Sequence, residues 1–237
     1  MPPGSFLRAH WFTLGLCAVL LLPWLAFGRS LTQDFAAIDD SFLIVNNPIV
    51  HGVDRTHLKL AFTTFDPELY IPATIVSFQM NWLMGGGSSL PFHATNILLH
   101  GINAALVGLL FLSLGRNRWV ALIGAALFAV HPLHTEAVAW AAGRKDLLCT
   151  MFFLLSYLSF RQFLERHRIV WLTVSILCFV LALLSKVLVV TLPVVFLLDI
   201  LLLQRKQEPL KNASCFVSYA KISLNVCRYA SRNFGLL

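Results

Sequence analysis

Two adjacent carboxylates, Asp39 and Asp40, stand just beyond the first long apolar block of the chain. A carboxylate pair can supply a general base, a metal ligand or both. Neighbouring side chains diverge by about 100° on a helix and about 180° on a strand, so one can do chemistry while the other caps or orients. The plain alternative is two solvated loop acids.

A second group is the stripe His93, Asn96, His100 and Asn103. Its steps of three, four and three put all four on one face of a helix. Polar groups on an apolar helix are costly unless they pair or face a cavity. Two readings stay open: interhelical hydrogen bonding, or a site, for which His93 lies best. A third group is His131-Pro132-Leu133-His134-Thr135-Glu136, followed by Gly143-Arg144-Lys145-Asp146. His131 and His134 sit one turn apart if Pro132 opens a helix. The basic groups suit a phosphate, with arginine offering a planar fork. The alternative is a set of interfacial anchors and ion pairs. A metal held by the two histidines alone lacks further ligands at a recognised spacing, so metal dependence stays open. Lys186 either snorkels to the surface or reaches an anionic lipid head group.

These residues must be positioned by membrane-embedded helices. Of 237 residues, 58% are hydrophobic and 12% charged, against about 25% charge in a soluble domain. The apolar residues come in blocks, and a block of roughly 17–25 fits a bilayer-spanning helix. The expected fold class is therefore all-α, a multi-pass transmembrane bundle of about six spans. The spans fall at 11–27, 93–114, 119–133, 146–163, 169–185 and 187–203, with Pro193 kinking the last. The first reads as an uncleaved anchor. Residues 29–70 are polar and acidic, with Asp34, Asp54, Asp66 and Glu68 besides the Asp39-Asp40 pair, and form a large loop. Within 71–84, Thr74, Ser77 and Asn81 line one face and Ile71, Ile75, Phe78 and Trp82 another, which predicts a helix lying in the interface. Gly85-Gly86-Gly87 ends it.

The formal charge of +7 belongs to topology rather than to nucleic acid, because Lys and Arg cluster between apolar blocks. Arg116 and Arg118, Arg161, Arg166 and Arg168, and Arg205, Lys206 and Lys211 mark three alternate loops as cytoplasmic. The loops 29–92 and 134–145 then share the opposite face. Arg144 and Lys145 break the rule there, which points to another job. Five cysteines form no CxxC pair, so no zinc or redox signature is present. The sequon at Asn212 falls on the cytoplasmic side, where it would be silent.

Read together, these stretches resemble the transmembrane and tetratricopeptide-repeat O-mannosyltransferases and their bacterial relatives, within the GT-C glycosyltransferase class. The resemblance covers about residues 10–203. It rests on Ile38-Asp39-Asp40 with Asn47-Pro48, Phe92-His93-Ala94-Thr95-Asn96 with His100 and Asn103, the His131–Val138 run, Gly143–Asp146, and Ser185-Lys186 with Thr191-Leu192-Pro193. It implies transfer of a sugar, mannose in this family, from a polyprenyl-phosphate carrier to a protein Ser or Thr hydroxyl, with inversion at the sugar carbon. It implies Asp39 or Asp40 as the catalytic base. His131, His134, Arg144 and Lys186 would hold the donor phosphate, supported by His93, Asn96, His100, Glu136 and Asp146. The partners implied are the lipid-linked donor, an acceptor protein and membrane lipids. The location implied is the endoplasmic reticulum membrane or the bacterial inner membrane, with the active face non-cytoplasmic.

The family pattern continues into further spans and repeats of roughly 34 residues, which residues 1–211 do not contain; the tail at 212–237 departs from it. The chain is thus expected to be a partial GT-C-like membrane domain, a fragment whose own activity is open. The rival classes are a non-catalytic assembly subunit and a lipid-binding, transporter-like protein. Transport would be favoured by inverted repeats, and no convincing internal repeat is seen.

Overall fold

The computed structural model describes residues 3–65, 69–115 and 117–207. Asp66, Glu68, Arg116, Lys211, the Asn212 sequon, Cys215, Cys227 and the tail 212–237 lie outside them. Among the described residues every regular element is helical. The helices are α1 (Pro3–Phe27), α2 (Arg55–Thr63), α3 (Pro72–Gly85), α4 (Leu90–Gly115), α5 (Arg118–Val130), α6 (Thr135–Ala139), α7 (Arg144–Arg166), α8 (Ile169–Leu183) and α9 (Leu192–Gln207). Short 3-10 turns at Gly28–Thr32, Pro48–His51, Pro132–His134, Ala141–Gly143 and Val187–Thr191 join them.

Local chemistry sets the boundaries. Asp54 caps α2 by accepting from the amides of Thr56 and His57, both at 2.9 Å. Asn117 caps α5 through the amides of Trp119 and Val120. Such side-chain acceptors satisfy N–H groups that have no partner within the helix. Gly86 closes α3 in the left-handed region, with φ of 56°, a conformation glycine adopts without steric cost.

The chain divides into two compact units, Met1–Leu192 and Pro193–Leu237. In the first, α4 is central and packs against α1, α5 and α7, with α8 laid on α7. Val19, Ala104, Ala125 and Ala129 bury the α1–α4–α5 seam. At Gly101 the α4 backbone comes so close to α1 that a Cβ would lie 2.4 Å from the carbonyl oxygen of Leu20. A second core, including Leu43, Ile44, Val50, Ile75, Phe78, Phe92 and Ala142, forms a cap at the end of the bundle where α1 leaves, α4 enters and α7 begins. The second unit holds α9 from Pro193 onward.

Among the described residues three helices are long and apolar enough to cross a membrane: His10–Thr32, Leu90–Gly115 and Ala141–Arg166. A fourth crossing is possible only as a bent pair, Arg118–Val130 with Pro132–Ala139, broken by 50°. Of the six expected spans, three are thus matched by helices of sufficient length, or four with that pair. The expected fifth span, α8, has 15 residues, or about 22 Å at 1.5 Å per residue, against a hydrocarbon core of about 30 Å. The expected sixth starts as the 3-10 turn Val187–Thr191. Pro193 does not kink a helix midway; it occupies the first turn of α9, where a missing N–H costs nothing.

The helix expected to lie in the interface, α3, also packs against protein. Both of its stripes contain buried residues: Thr74, Asn81, Ile75 and Phe78 are all enclosed. The polar stripe is used internally, Thr74 Oγ1 donating to the Ser185 carbonyl at 3.3 Å and Asn81 Nδ2 to Thr95 Oγ1 at 2.9 Å. The exposed side chains of α3 are Met80, Leu83 and Met84.

Candidate functional site

The two adjacent carboxylates have opposite surroundings. Asp40 is 1% exposed. Its two oxygens accept from the backbone amides of Ala36, at 2.8 Å, and Ala142, at 2.7 Å. One side chain thus ties the loop after α1 to the turn before α7. Burial pushes the Asp40 carboxyl above its ordinary range, against the downward pull of the two amides and the nearby His93 imidazole. Asp39 remains 36% exposed in its side chain, and its Oδ2 lies 3.6 Å from Lys145 Nζ.

Behind this pair runs the polar stripe of α4, wholly buried at His93, Asn96, His100 and Asn103. Three of the four close interhelical hydrogen bonds. Asn96 Nδ2 donates to the Trp140 carbonyl at 2.7 Å, His100 Nε2 to Ala129 at 3.1 Å, and Asn103 Nδ2 to Leu147 at 2.9 Å. These carbonyls sit at the end of α5, before the 3-10 turn at Ala141, and in the first turn of α7, so the stripe stitches the breaks in the bundle. His93 is placed differently, beside the Asp40 carboxylate and the backbones of Gln33 and Ala139.

Arg144 is completely buried. Its Nε donates to Asn96 Oδ1, one terminal nitrogen to Ser77 Oγ at 3.3 Å and the other to the Phe92 carbonyl at 2.7 Å. The guanidinium carbon lies 5.4 Å from the Phe78 ring centre. The planar fork expected for a phosphate is instead committed to α3 and α4 and reaches no open surface. Arg144 fixes the start of α7.

The histidine run forms the corner between α5 and α6. His131 is exposed, and its Nδ1 accepts from the Leu133 amide at 3.2 Å, capping the turn that Pro132 opens. His134 packs its ring on Phe128, at 4.3 Å between centres, and on His100, at 4.9 Å. Both histidines therefore have structural work in the corner. Glu136 is different, since it lines an open cleft of about 540 Å³ with Gln33, Asp34, Ala36, Asp40, Thr135, Ala139 and Trp140. Lys186, at the end of α8, forms an ion pair with Asp146 of α7.

Asp39, Lys145, Asp146 and Lys186 are thus gathered at the first turn of α7, and Asp40 at the 3-10 turn just before it. His131 stands apart on the corner. Among the described residues no three His, Cys, Asp or Glu side chains gather closely enough to hold a metal ion. Sequence reasoning placed Lys145 in the basic group suited to a phosphate and noted its breach of the positive-inside rule, but gave it no role of its own. Gln33, Asp34, Thr135 and Trp140 carried no signal, because the cleft arises only when the loop and the corner meet.

Comparison with known proteins bears on the same region. Residues 77–228 match the family described as dolichyl-phosphate-mannose-protein mannosyltransferase. The chain is similar to human protein O-mannosyl-transferase TMTC4, 36% identical over 214 residues that cover 78% of this chain and 28% of that protein. It is also similar to protein O-mannosyl-transferase Tmtc1 of Drosophila melanogaster, 40% identical over 192 residues covering 78% of this chain and 22% of that one. Mouse protein O-mannosyl-transferase TMTC1 is 37% identical over 158 residues, covering 60% and 16%. The chain therefore spans between 16% and 28% of the length of these curated relatives. No solved structure matches it.

Proposed function

The chain belongs to the dolichyl-phosphate-mannose-protein mannosyltransferase family, and we propose that it carries the catalytic end of a membrane glycosyltransferase that moves mannose from a polyprenyl-phosphate carrier to a protein Ser or Thr hydroxyl. The observation that carries this reading is the split within the Asp39-Asp40 pair. Asp40 is consumed by two backbone amides, while Asp39 is presented at the surface beside a lysine.

In this reading Asp39 is the base. A Ser or Thr hydroxyl is a poor nucleophile until a carboxylate takes its proton. The hydroxyl oxygen then forms a bond to the anomeric carbon as the carbon–oxygen bond to the carrier phosphate breaks. The electron pair leaves on the phosphate, so attack from the opposite side inverts that carbon. Developing negative charge on the leaving phosphate needs fixed cations. Lys186 is exposed enough to offer one, held in place by Asp146. Arg144 contributes by fixing the backbone of α7 rather than by contact. The cleft beside Asp40, with Glu136, Thr135 and Gln33 on its walls, is suited to hydroxyl-rich or peptide ligands. The lysine and arginine bias of the loops supports a non-cytoplasmic position for this end of the bundle, in an endoplasmic reticulum or bacterial inner membrane.

The test is transfer of radiolabelled mannose from a short-chain polyprenyl-phosphate mannose to protein, in membranes containing the chain. Asp39→Asn is expected to lower transfer by at least 100-fold, the lower end of what a general base contributes. Undiminished transfer by Asp39→Asn removes the base assignment. No transfer by the unmodified chain removes the activity from this chain.

A further inference from the structure

The first turn of α7 carries two neighbouring charges of opposite sign, and each is met by a partner from another segment. Lys145 meets Asp39 from the loop after α1, and Asp146 meets Lys186 from the end of α8. Two pairs of opposite charge therefore flank the start of α7, Asp39 with Lys145 and Asp146 with Lys186. Their position is built rather than incidental. Lys145 follows Arg144, which is locked to Asn96, Ser77 and Phe92. Asp39 precedes Asp40, which is locked to Ala36 and Ala142. Both ends of the outer pair are thus one residue away from a fully buried anchor. The pair itself is loose: 3.6 Å separates the charged atoms, with side chains 19% and 36% exposed.

Partly exposed ion pairs of this kind are weak, and a doubly charged phosphate monoester or a lipid phosphodiester competes well for an ammonium group. We infer that Lys145 is held by Asp39 only until a phosphate-bearing ligand arrives, whereupon the phosphate takes Lys145 and Lys186 and frees the Asp39 carboxylate. The juxtaposition of Asp39 with Lys145, beside Asp146 with Lys186, carries this. It rests on the donor reading above and adds an order to it: the base becomes available only after the phosphate is seated. The contact with Lys145 covers the Asp39 carboxylate in the empty site, and the exchange uncovers it. No covalent bond is made or broken in the exchange; the Asp39–Lys145 contact gives way to a phosphate–ammonium contact, while Lys186 keeps Asp146 and adds the phosphate.

The experiment uses the full chain in detergent micelles. A carbodiimide joins a carboxylate to a touching amine without a spacer, so the empty protein is expected to yield an Asp39–Lys145 isopeptide, detected by mass spectrometry. Farnesyl phosphate at saturation is expected to lower that product at least fivefold and to raise labelling of Asp39 by an added small amine. Asp54, far exposed and held by His57, serves as the carboxylate whose labelling stays constant. Farnesol, which lacks the phosphate, is expected to change nothing. Inorganic phosphate acting at higher concentration would show that the phosphate alone drives exchange; inaction by inorganic phosphate would show that the lipid tail seats it, and the exchange holds in either case. Farnesyl phosphate that binds, by retained radiolabel, yet leaves the isopeptide unchanged overturns the exchange and leaves the donor reading intact. Farnesyl phosphate that does not bind overturns both. In Lys145→Met, Asp39 should label fully without any ligand and respond to none; a response in that variant also overturns the exchange.

Discussion

Replacing Asp40 tests whether one buried carboxylate holds the candidate site together. In Asp40→Asn a single oxygen remains to accept, and the amide turns it to the buried Ala142 N–H, leaving the Ala36 N–H facing an NH2 group. One hydrogen bond to a charged group is lost, worth about 1.5–3 kcal/mol. Burial already disfavours the charge on Asp40, so neutralising it returns part of that, and the expected net loss is about 1–2 kcal/mol. In Asp40→Ala both amides lose their acceptor and the buried Ala142 N–H is orphaned, so the loss rises to about 3 kcal/mol. Thermal unfolding in micelles should rank wild type above Asn above Ala. Hydrogen exchange should accelerate at the Ala36 and Ala142 amides first. The pH dependence has a fixed sign. The folded state keeps the Asp40 proton above the ordinary value of 3.8, where the unfolded chain has already released it. The stability this group supplies is complete below that value and is lost as pH rises through the raised folded value. Wild type should therefore lose stability across that window while Asp40→Asn does not. Unchanged exchange at Ala142 in Asp40→Ala would refute the clamp.

Other positions give independent checks. Gly101→Ala drives a methyl group against the Leu20 backbone oxygen; overpacking against a backbone costs about 1–3 kcal/mol, visible as a lowered unfolding temperature. Arg144→Lys keeps the charge but loses the planar fork, so it cannot serve Asn96, Ser77 and Phe92 together. It should destabilise by about 3 kcal/mol, two charge-assisted bonds' worth, and an unaltered melting temperature would contradict the anchor. Ser156 and Ser175 each donate to the other's carbonyl, at 2.7 and 2.9 Å. Each single change to Ala should cost about 0.6 kcal/mol, typical of hydrogen bonds between membrane helices; the losses should add because each hydroxyl meets a backbone carbonyl, and no loss in either variant would remove the pairing.

The helical membrane bundle was legible because its signal is bulk chemistry. Long apolar blocks admit few other structures, and α1, α4 and α7 lie close to where those blocks predict. The span count was less legible, because length and backbone breaks bear on it. The block at 187–203 is apolar apart from Thr191 and Asp199, but hydropathy does not register that Val187–Thr191 winds as a 3-10 turn and that α9 starts only at Leu192. The stripes of α3 show a related limit. A stripe of Thr74, Ser77 and Asn81 looks the same whether it faces water or the Ser185 carbonyl and Thr95 hydroxyl. Periodicity gives a face, and only the tertiary partner says what that face meets.

The same limit governs the charged residues, and there it changes the chemistry. Arg144 and Lys145 are neighbours of like charge, and both defy the topology rule that the other loops obey. Sequence alone gave the arginine the phosphate, because its fork suits one. Helical geometry separates them by about 100°, which turns one toward α3 and α4 and the other toward the loop that carries Asp39. The residue facing inward meets three polar partners and a phenyl ring, enough to hold a guanidinium that water cannot reach. The residue facing outward meets a carboxylate that water does reach. Arginine suits the first position because its charge persists when buried and its donors are fixed in a plane. Lysine suits the second because a compact, mobile ammonium can change partners. The Asp39-Asp40 pair divides in the same way, with the inner carboxylate fixed and the outer one exchangeable. Two adjacent dipeptides thus each split into an anchor and a working group, and the two working groups face each other.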